Sequence, residues 1–238
     1  MTIHIIPTLQ DNYTYIVEVD DRAIIVDCGE AGPVIDFIKK NNINPSHILC
    51  THHHGDHVDG LAALKKKYPD MQIYAPEKDI YRIPLADHGL KPDETISIDG
   101  IEIKCIETPG HTKNHLCFYL PELKSVFSGD ALFSLGCGRL FEGDYEDLFY
   151  SMQKLKDLPD DTMIYCGHEY TKANCRFSLS VEPDNFRLLK KMKQVEELRA
   201  NGQPTIPVSL GEEKSTNLFL LADSIEKIAQ LRQLRDQF

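Results

Sequence analysis

Within Thr51-His52-His53-His54-Gly55-Asp56-His57 the chain sets three imidazoles, His52, His54 and His57, beside the carboxylate of Asp56, with a fourth imidazole, His53, between them. Neutral imidazole and carboxylate are the ligands that zinc and iron prefer. A solvated histidine tract has a similar composition. This one, however, follows the apolar run Ile48-Leu49-Cys50 and precedes a helical pattern from Val58 to Tyr68, with Leu61, Ala62 and Leu64 on one side. A strand, a tight loop and a helix fan side chains around a point at the strand's C-terminal end, and the run reads as a metal site.

Three further polar clusters repeat the theme. Pro109-Gly110-His111-Thr112 follows an apolar strand pattern, and Ser128-Gly129-Asp130 and Cys166-Gly167-His168-Glu169-Tyr170 end two others. A glycine beside each His or Asp lets the backbone turn sharply and approach an ion closely. One such pair is weak evidence. Four at strand ends are strong, because ligand groups in α/β sheets collect at the carboxyl edge of the strands. The remaining histidines His4, His47, His88 and His115 read as surface or core groups, and His53 as pointing away from the ligands. Asp59 and Asp27 divide evenly between orienting a ligand histidine and an ordinary structural role.

The elements that must position these groups are legible as short apolar runs. Ile3–Ile6, Tyr13–Val19 and Ala23–Asp27 read as strands, with a helix near Pro33–Asn41 and a strand entering the histidine loop. Gln72–Ala75 reads as another strand, and Asp99-Gly100 between Thr95–Ile98 and Ile101–Ile106 is the strongest hairpin signal. Leu116–Leu120, Ser125–Ser128 and Thr162–Cys166 follow as strands, and Asp147–Leu158 as a helix. After Tyr170 the strand signals stop. Asn185–Ala200 has helical spacing, Gly202–Gly211 reads as a loop, and Asp223-x-x-Glu226 reads as a capped helix start.

At 238 residues the chain can bury a full core. No apolar run approaches the ~20 residues that cross a bilayer, so no membrane partner is expected. A formal net charge of −11 argues against nucleic acid, which needs a basic face, and means that an anionic ligand must find local cations. The seven cysteines contain no Cys-x-x-Cys pair and read as buried reduced thiols. With no secretory signal visible, the expectation is a cytoplasmic protein, monomeric by default.

Taken together, Thr-His-x-His-x-Asp-His at 51–57, then Gly-His-Thr, Gly-Asp and Gly-His, resemble the metallo-β-lactamase superfamily. Gly136-Cys137-Gly138-Arg139, Gly167-His168-Glu169-Tyr170-Thr171, Val181-Glu182-Pro183 and the tail Leu231-Arg232-x-x-Arg235-Asp236-x-Phe238 are similar to glyoxalase II, the hydroxyacylglutathione hydrolases, over essentially the whole chain. The resemblance implies an α+β fold, a four-layer αββα sandwich with a small C-terminal helical domain. Residues 1–170 would form the metal-binding catalytic domain and 171–238 the helical substrate-binding domain.

It further implies one metal held by His52, His54 and His111, a second held by Asp56, His57 and His168, and Asp130 bridging both. Asp56 and Asp130 would be the catalytic carboxylates. Two divalent ions are expected, zinc foremost, with iron and manganese compatible. The implied reaction is hydrolysis of S-(2-hydroxyacyl)glutathione, S-D-lactoylglutathione above all, to D-lactate and glutathione by a hydroxide bridging the metals, the second step of methylglyoxal detoxification. The donor set agrees with that chemistry. Divalent metals lower the pKa of bound water from ~16 to about 7, and a thiolate leaving group with a thiol pKa of ~8.5 needs little acid assistance.

Arg139, Phe141 and Tyr170 occupy the positions of the family's glutathione contacts, with Phe141 where Tyr is common. The family also usually carries Arg at the position of Leu221, which here holds no charge. The expectation is weaker or altered thiol selectivity, with Lys214 or Lys227 as substitutes or a different thiol ester as substrate. The competing class is a persulfide dioxygenase with a single iron, which the long helical tail disfavours.

Overall fold

The computed structural model describes residues 1–83 and 85–238. These divide into two compact units, Met1–Glu107 with Asn114–Leu123, and Thr108–Lys113 with Lys124–Phe238.

In the first unit, β1 (Thr2–Thr8), β2 (Asn12–Val19) and β3 (Arg22–Val26) form an antiparallel meander. After α1 (Ala31–Asn41) the chain returns as β4 (Pro45–Leu49), parallel to β3. The short α2 (Gly55–Val58) and α3 (Leu61–Lys67) lead to β5 (Gln72–Pro76), parallel to β4, and β6 (His88–Leu90) continues the sheet. The parallel order of β3, β4 and β5 brings the ends of β3 and β4 to one edge, where Asp27 and the histidine loop emerge. Helix α1 forms because Ala31, Val34 and Ile38 recur at helical spacing, and it buries that stripe with Ile25, Ile48 and Ile73 in one core. Its end at Asn42 is left-handed (φ 54°), a conformation that asparagine tolerates.

The helix expected over Val58–Tyr68 is interrupted at Asp59-Gly60. The Gly60 N–H donates to the Cys28 carbonyl (2.9 Å), and a Cβ at Gly60 would meet the Cys28 sulfur. Only glycine permits that approach, so the break pins the histidine loop to the end of β3. The predicted hairpin is present. Strands β7 (Thr95–Ile98) and β8 (Ile101–Glu107) pair antiparallel across Asp99 (φ 49°) and Gly100 (φ 83°), and β9 (Leu116–Leu120) adds to β8.

In the second unit β10 (Ser125–Gly129) runs to the small antiparallel hairpin of β11 (Leu132–Phe133) and β12 (Gly136–Cys137). Helix α4 (Tyr145–Lys156) starts in a capping box in which Asp144 and Asp147 satisfy each other's backbone N–H groups. Strand β13 (Met163–Cys166) lies parallel to β10, so Asp130 and His168 leave the same edge. The helices α5 (Thr171–Val181) and α6 (Phe186–Ala200) pack as a pair, with Cys175 and Leu188 in contact with Leu135. The segment expected as a loop to Gly211 contains β14 (Val208–Ser209), which pairs with β13. The chain ends in α7 (Leu210–Thr216), α8 (Leu218–Leu221) and α9 (Ile225–Gln237). Helix α9 is capped by Ser224, one residue beyond the expected Asp223. No helix among the described residues is long and apolar enough to cross a membrane.

Candidate metal centre and adjoining cavity

In the first unit the histidine loop is held by a buried carboxylate. Asp27, left-handed at φ 55°, accepts from the Thr51 N–H and hydroxyl (both 2.8 Å) and lies 2.8 Å from His57 Nδ1. With Nδ1 engaged there, His57 presents Nε2, which lies 3.7 Å from Asp56 Oδ2. His52 Nδ1 meets the Thr51 hydroxyl (3.0 Å), leaving Nε2 to face His54 Nδ1 at 3.2 Å. Asn12 donates to Asp56 Oδ2 (3.0 Å) and to its carbonyl (3.2 Å), and Gly29 passes so close to that carbonyl that no Cβ fits. The His115 ring stacks on His52 at 5.1 Å.

Asp27, His52 and His57 are near enough to one another to ligate an ion themselves. The Asp27 oxygens are already committed to Thr51 and to His57 Nδ1, so its role is to orient the loop. Asp59 is exposed, its carboxylate lying close over Gly55 of the loop. His53 turns toward the fully buried Asp79 (3.3 Å), which also accepts from Asn114.

In the second unit Asp130 Oδ2 lies between two ring nitrogens, 3.4 Å from His111 Nε2 and 3.3 Å from His168 Nε2. The other nitrogen of His111 meets the Arg139 carbonyl at 2.8 Å. All three side chains are buried. The turn at Gly129 (φ 45°) aims Asp130 inward, and Gly138 approaches the Asp130 carbonyl too closely for any side chain. In each unit, then, imidazoles and a carboxylate converge while the rear nitrogens of His52, His57 and His111 are held by oxygens. That donor set fits a divalent cation.

Beside this second cluster lies a cavity of about 270 Å³ lined by Phe133, Cys137, Arg139, Tyr170, Asn174, Arg232, Arg235, Asp236 and Phe238. Tyr170 connects the two, its ring parallel to that of His168 at 4.7 Å. Asp236 accepts from Arg232 (2.9 Å) and lies 3.6 Å from Arg139 Nε, so three guanidiniums face one carboxylate. Burial, and next the charge of Arg232, lowers the pKa of Arg235, whose guanidinium lies over the Phe177 and Phe238 rings. Arg232 is itself buried, and its Nε has no partner among the described residues. Such a cavity selects for carboxylates.

Residues 7–168 match the metallo-beta-lactamase superfamily, and residues 169–238 match the hydroxyacylglutathione hydrolase C-terminus. A hydroxyacylglutathione hydrolase from Pelagibacter ubique (strain HTCC1062) is 43% identical over 241 residues, covering 100% of each chain. One from Rhodopseudomonas palustris (strain BisB5) is 45% identical over 223 residues, 93% of this chain and 87% of its own. The chain belongs to the hydroxyacylglutathione hydrolase family. Among solved structures, the BLEG-1 B3 metallo-beta-lactamase superposes with a TM-score of 0.73 at 23% identity, covering 93% of this chain and 100% of its own. TTHA1623 in a di-iron-bound form has a TM-score of 0.66 at 25% identity, covering 92% and 100%. The fold is therefore that of the metallo-β-lactamase superfamily, extended by the helical C-terminal region of this family.

The sequence expectations for the cavity need revision in part. Arg139 and Tyr170 line it, but Phe141 does not. Phe141 meets the His111 ring edge-on at 5.2 Å and is 62% exposed. Leu221 is 45% exposed at the end of α8 and is not among the described residues lining the cavity. Lys214 is engaged by Asp160 (2.6 Å) and Lys227 is directed at Gln230, and neither is among the described residues lining the cavity. The cations are Arg232 and Arg235, which the sequence had shown only as part of the tail motif. Their three-residue spacing on one helix face, beside aromatic residues, was the available signal.

Proposed function

We propose that the chain hydrolyses S-(2-hydroxyacyl)glutathione thioesters, S-D-lactoylglutathione among them, releasing a 2-hydroxy acid and glutathione. The observation that carries this reading is the three-arginine cavity placed, through Tyr170, against the His111, Asp130 and His168 cluster. Glutathione carries two carboxylates, and Arg139, Arg232 and Arg235 supply complementary donors. Each charge-assisted hydrogen bond of this kind contributes about 1.5–3 kcal/mol.

We further propose that His52, His54 and His111 hold one divalent metal, that Asp56, His57 and His168 hold a second, and that Asp130 is shared. Support comes from the family, from the donor chemistry of each cluster, and from the relative solved in a di-iron-bound form. Zinc, iron and manganese all suit such ligands. When bound, the metals supply a water ionised near neutral pH and a Lewis acid for the thioester carbonyl. The protein's part is orientation. Asp27 and the Arg139 carbonyl keep His57 and His111 in the ligating tautomer, the arginines seat the thiol half, and the Tyr170 ring walls the path between them. The leaving thiolate needs no dedicated acid. The cysteines, all buried and in thiol form among the described residues, support a reducing cytoplasmic setting; a monomer is the working assembly.

The test is hydrolysis of S-D-lactoylglutathione by purified protein, with metal content measured on the same sample. Turnover with about two metals per chain is expected. Inactivity in fully metallated protein would overturn the substrate. Oxygen uptake on glutathione persulfide with one iron per chain would overturn the reaction class.

A further inference from the structure

The hairpin of β11 and β12 links Asp130 to Arg139 and contributes Phe133 and Cys137 to the cavity wall. It turns on two residues, Ser134 and Leu135, the latter left-handed at φ 58°, a costly conformation for leucine. So short a hairpin has few backbone bonds of its own. Its polar groups are instead satisfied by side chains from the helical region.

Glu213, fully buried, accepts from the Ser134 hydroxyl (2.9 Å) and the Leu135 N–H (2.7 Å). The Asn217 amide, also fully buried, donates to the Phe133 carbonyl and the Gly136 carbonyl (both 3.1 Å), straddling the two strands, and to Glu213 itself (3.0 Å). Asn174 donates to the Ser134 carbonyl (3.0 Å), and Arg232 to the Cys137 carbonyl (3.1 Å). A Cβ on Gly136 would meet the Asn174 amide, so strand and side chain are fitted closely. Glu213 and Asn217 are four residues apart on α7 and its C-cap, one turn of helix. Asn217 also caps α8 by accepting from the Phe219 N–H (3.0 Å). Neither touches the cavity.

We propose that Glu213 and Asn217 are positioning residues for substrate selection. They hold the hairpin so that Phe133, Cys137 and, beyond them, Arg139 form the wall that recognises the thiol half of the substrate. This rests on the functional reading of the arginine cavity given above. The pair acts on binding of the carboxylate-bearing thiol and leaves the metal ligands and the bond-breaking step alone.

Glu213→Leu keeps most of the volume but removes both acceptor oxygens from the hairpin turn, and Asn217→Ala removes both bridging bonds. Full-length, metal-loaded variants are assayed with S-D-lactoylglutathione and with the lactoyl thioester of N-acetylcysteamine, a thiol without carboxylates. For the glutathione ester KM is expected to rise about tenfold, equivalent to about 1.4 kcal/mol, with kcat within about twofold and metal content unchanged. KM for the N-acetylcysteamine ester stays level. In an Arg139→Met background the Glu213→Leu substitution adds little further increase, because the effect travels through that wall.

An unchanged KM in folded Glu213→Leu protein overturns the proposal, as does a parallel loss for both esters with loss of metal. Arg139→Met alone separates the two levels. If it leaves KM for the glutathione ester unchanged, the cavity reading fails. If it raises KM while Glu213→Leu does not, only the positioning role fails.

Discussion

An imidazole that is to hold a cation must offer one ring nitrogen and keep the other occupied, and here the rear partners are specific. His57 uses Asp27, His52 the Thr51 hydroxyl, and His111 the carbonyl of Arg139. Removing such a partner typically costs 10–100-fold in metal affinity. Asp27→Ala should therefore weaken metal retention by roughly that factor, read by competition with a chromophoric chelator at constant far-UV circular dichroism. Asp59→Ala, which alters an exposed carboxylate, should leave retention unchanged. The sequence placed Asp27 and Asp59 on an equal footing. Burial separates them, since a carboxylate that is 4% exposed must be hydrogen-bonded and an exposed one need not be.

At the scale of elements, the site is made where strands end in glycine and the chain turns back on itself. Gly138 is the tightest case, with a Cβ meeting both the Asp130 carbonyl and His111. Gly138→Ala should displace Asp130. We expect lowered metal content and activity together, with a fall in stability within the 1–3 kcal/mol usual for overpacking, read by metal analysis and chemical denaturation. The strands and the Asp99-Gly100 hairpin were legible because period-two apolar patterns and a two-residue turn are local signals. Helix α5 was not legible. Its buried face is Thr171, Asn174, Cys175 and Ser178 around a single aromatic, Phe177, so the stripe that packs inward is largely polar and no hydrophobic period marks it. Strand β14 is two residues long and is defined only by its partner β13.

For the molecule as a whole, metal binding and stability are linked. A ligand that binds only the folded chain stabilises it in proportion to the logarithm of its concentration. Stripping metal with a chelator should lower the melting temperature, and restoring it to about a hundredfold above its Kd should return about 2.7 kcal/mol. A melting temperature indifferent to metal would contradict binding by either cluster. Electrostatics at this scale also explain the cavity. A chain of net charge −11 repels an anionic thioester at long range, so on the proposed reading recognition falls to arginines only partly neutralised by Asp236.

The sequence by itself determined the metal chemistry, the superfamily and the family, because ligand motifs and their glycines are contiguous and each ends an apolar strand that announces itself. Arg139 and Tyr170, offered by the resemblance as glutathione contacts, lie within or beside those motifs, and both line the cavity. Only the tertiary structure decided the rest. It set Leu221 outside the cavity, brought Arg232 and Arg235 from the last helix onto its wall, and gave Glu213 and Asn217 a hairpin to hold about eighty residues earlier in the chain. No local pattern encodes such pairings. A buried polar side chain is chosen by the partner that packing brings to it, and that partner lies far away in sequence.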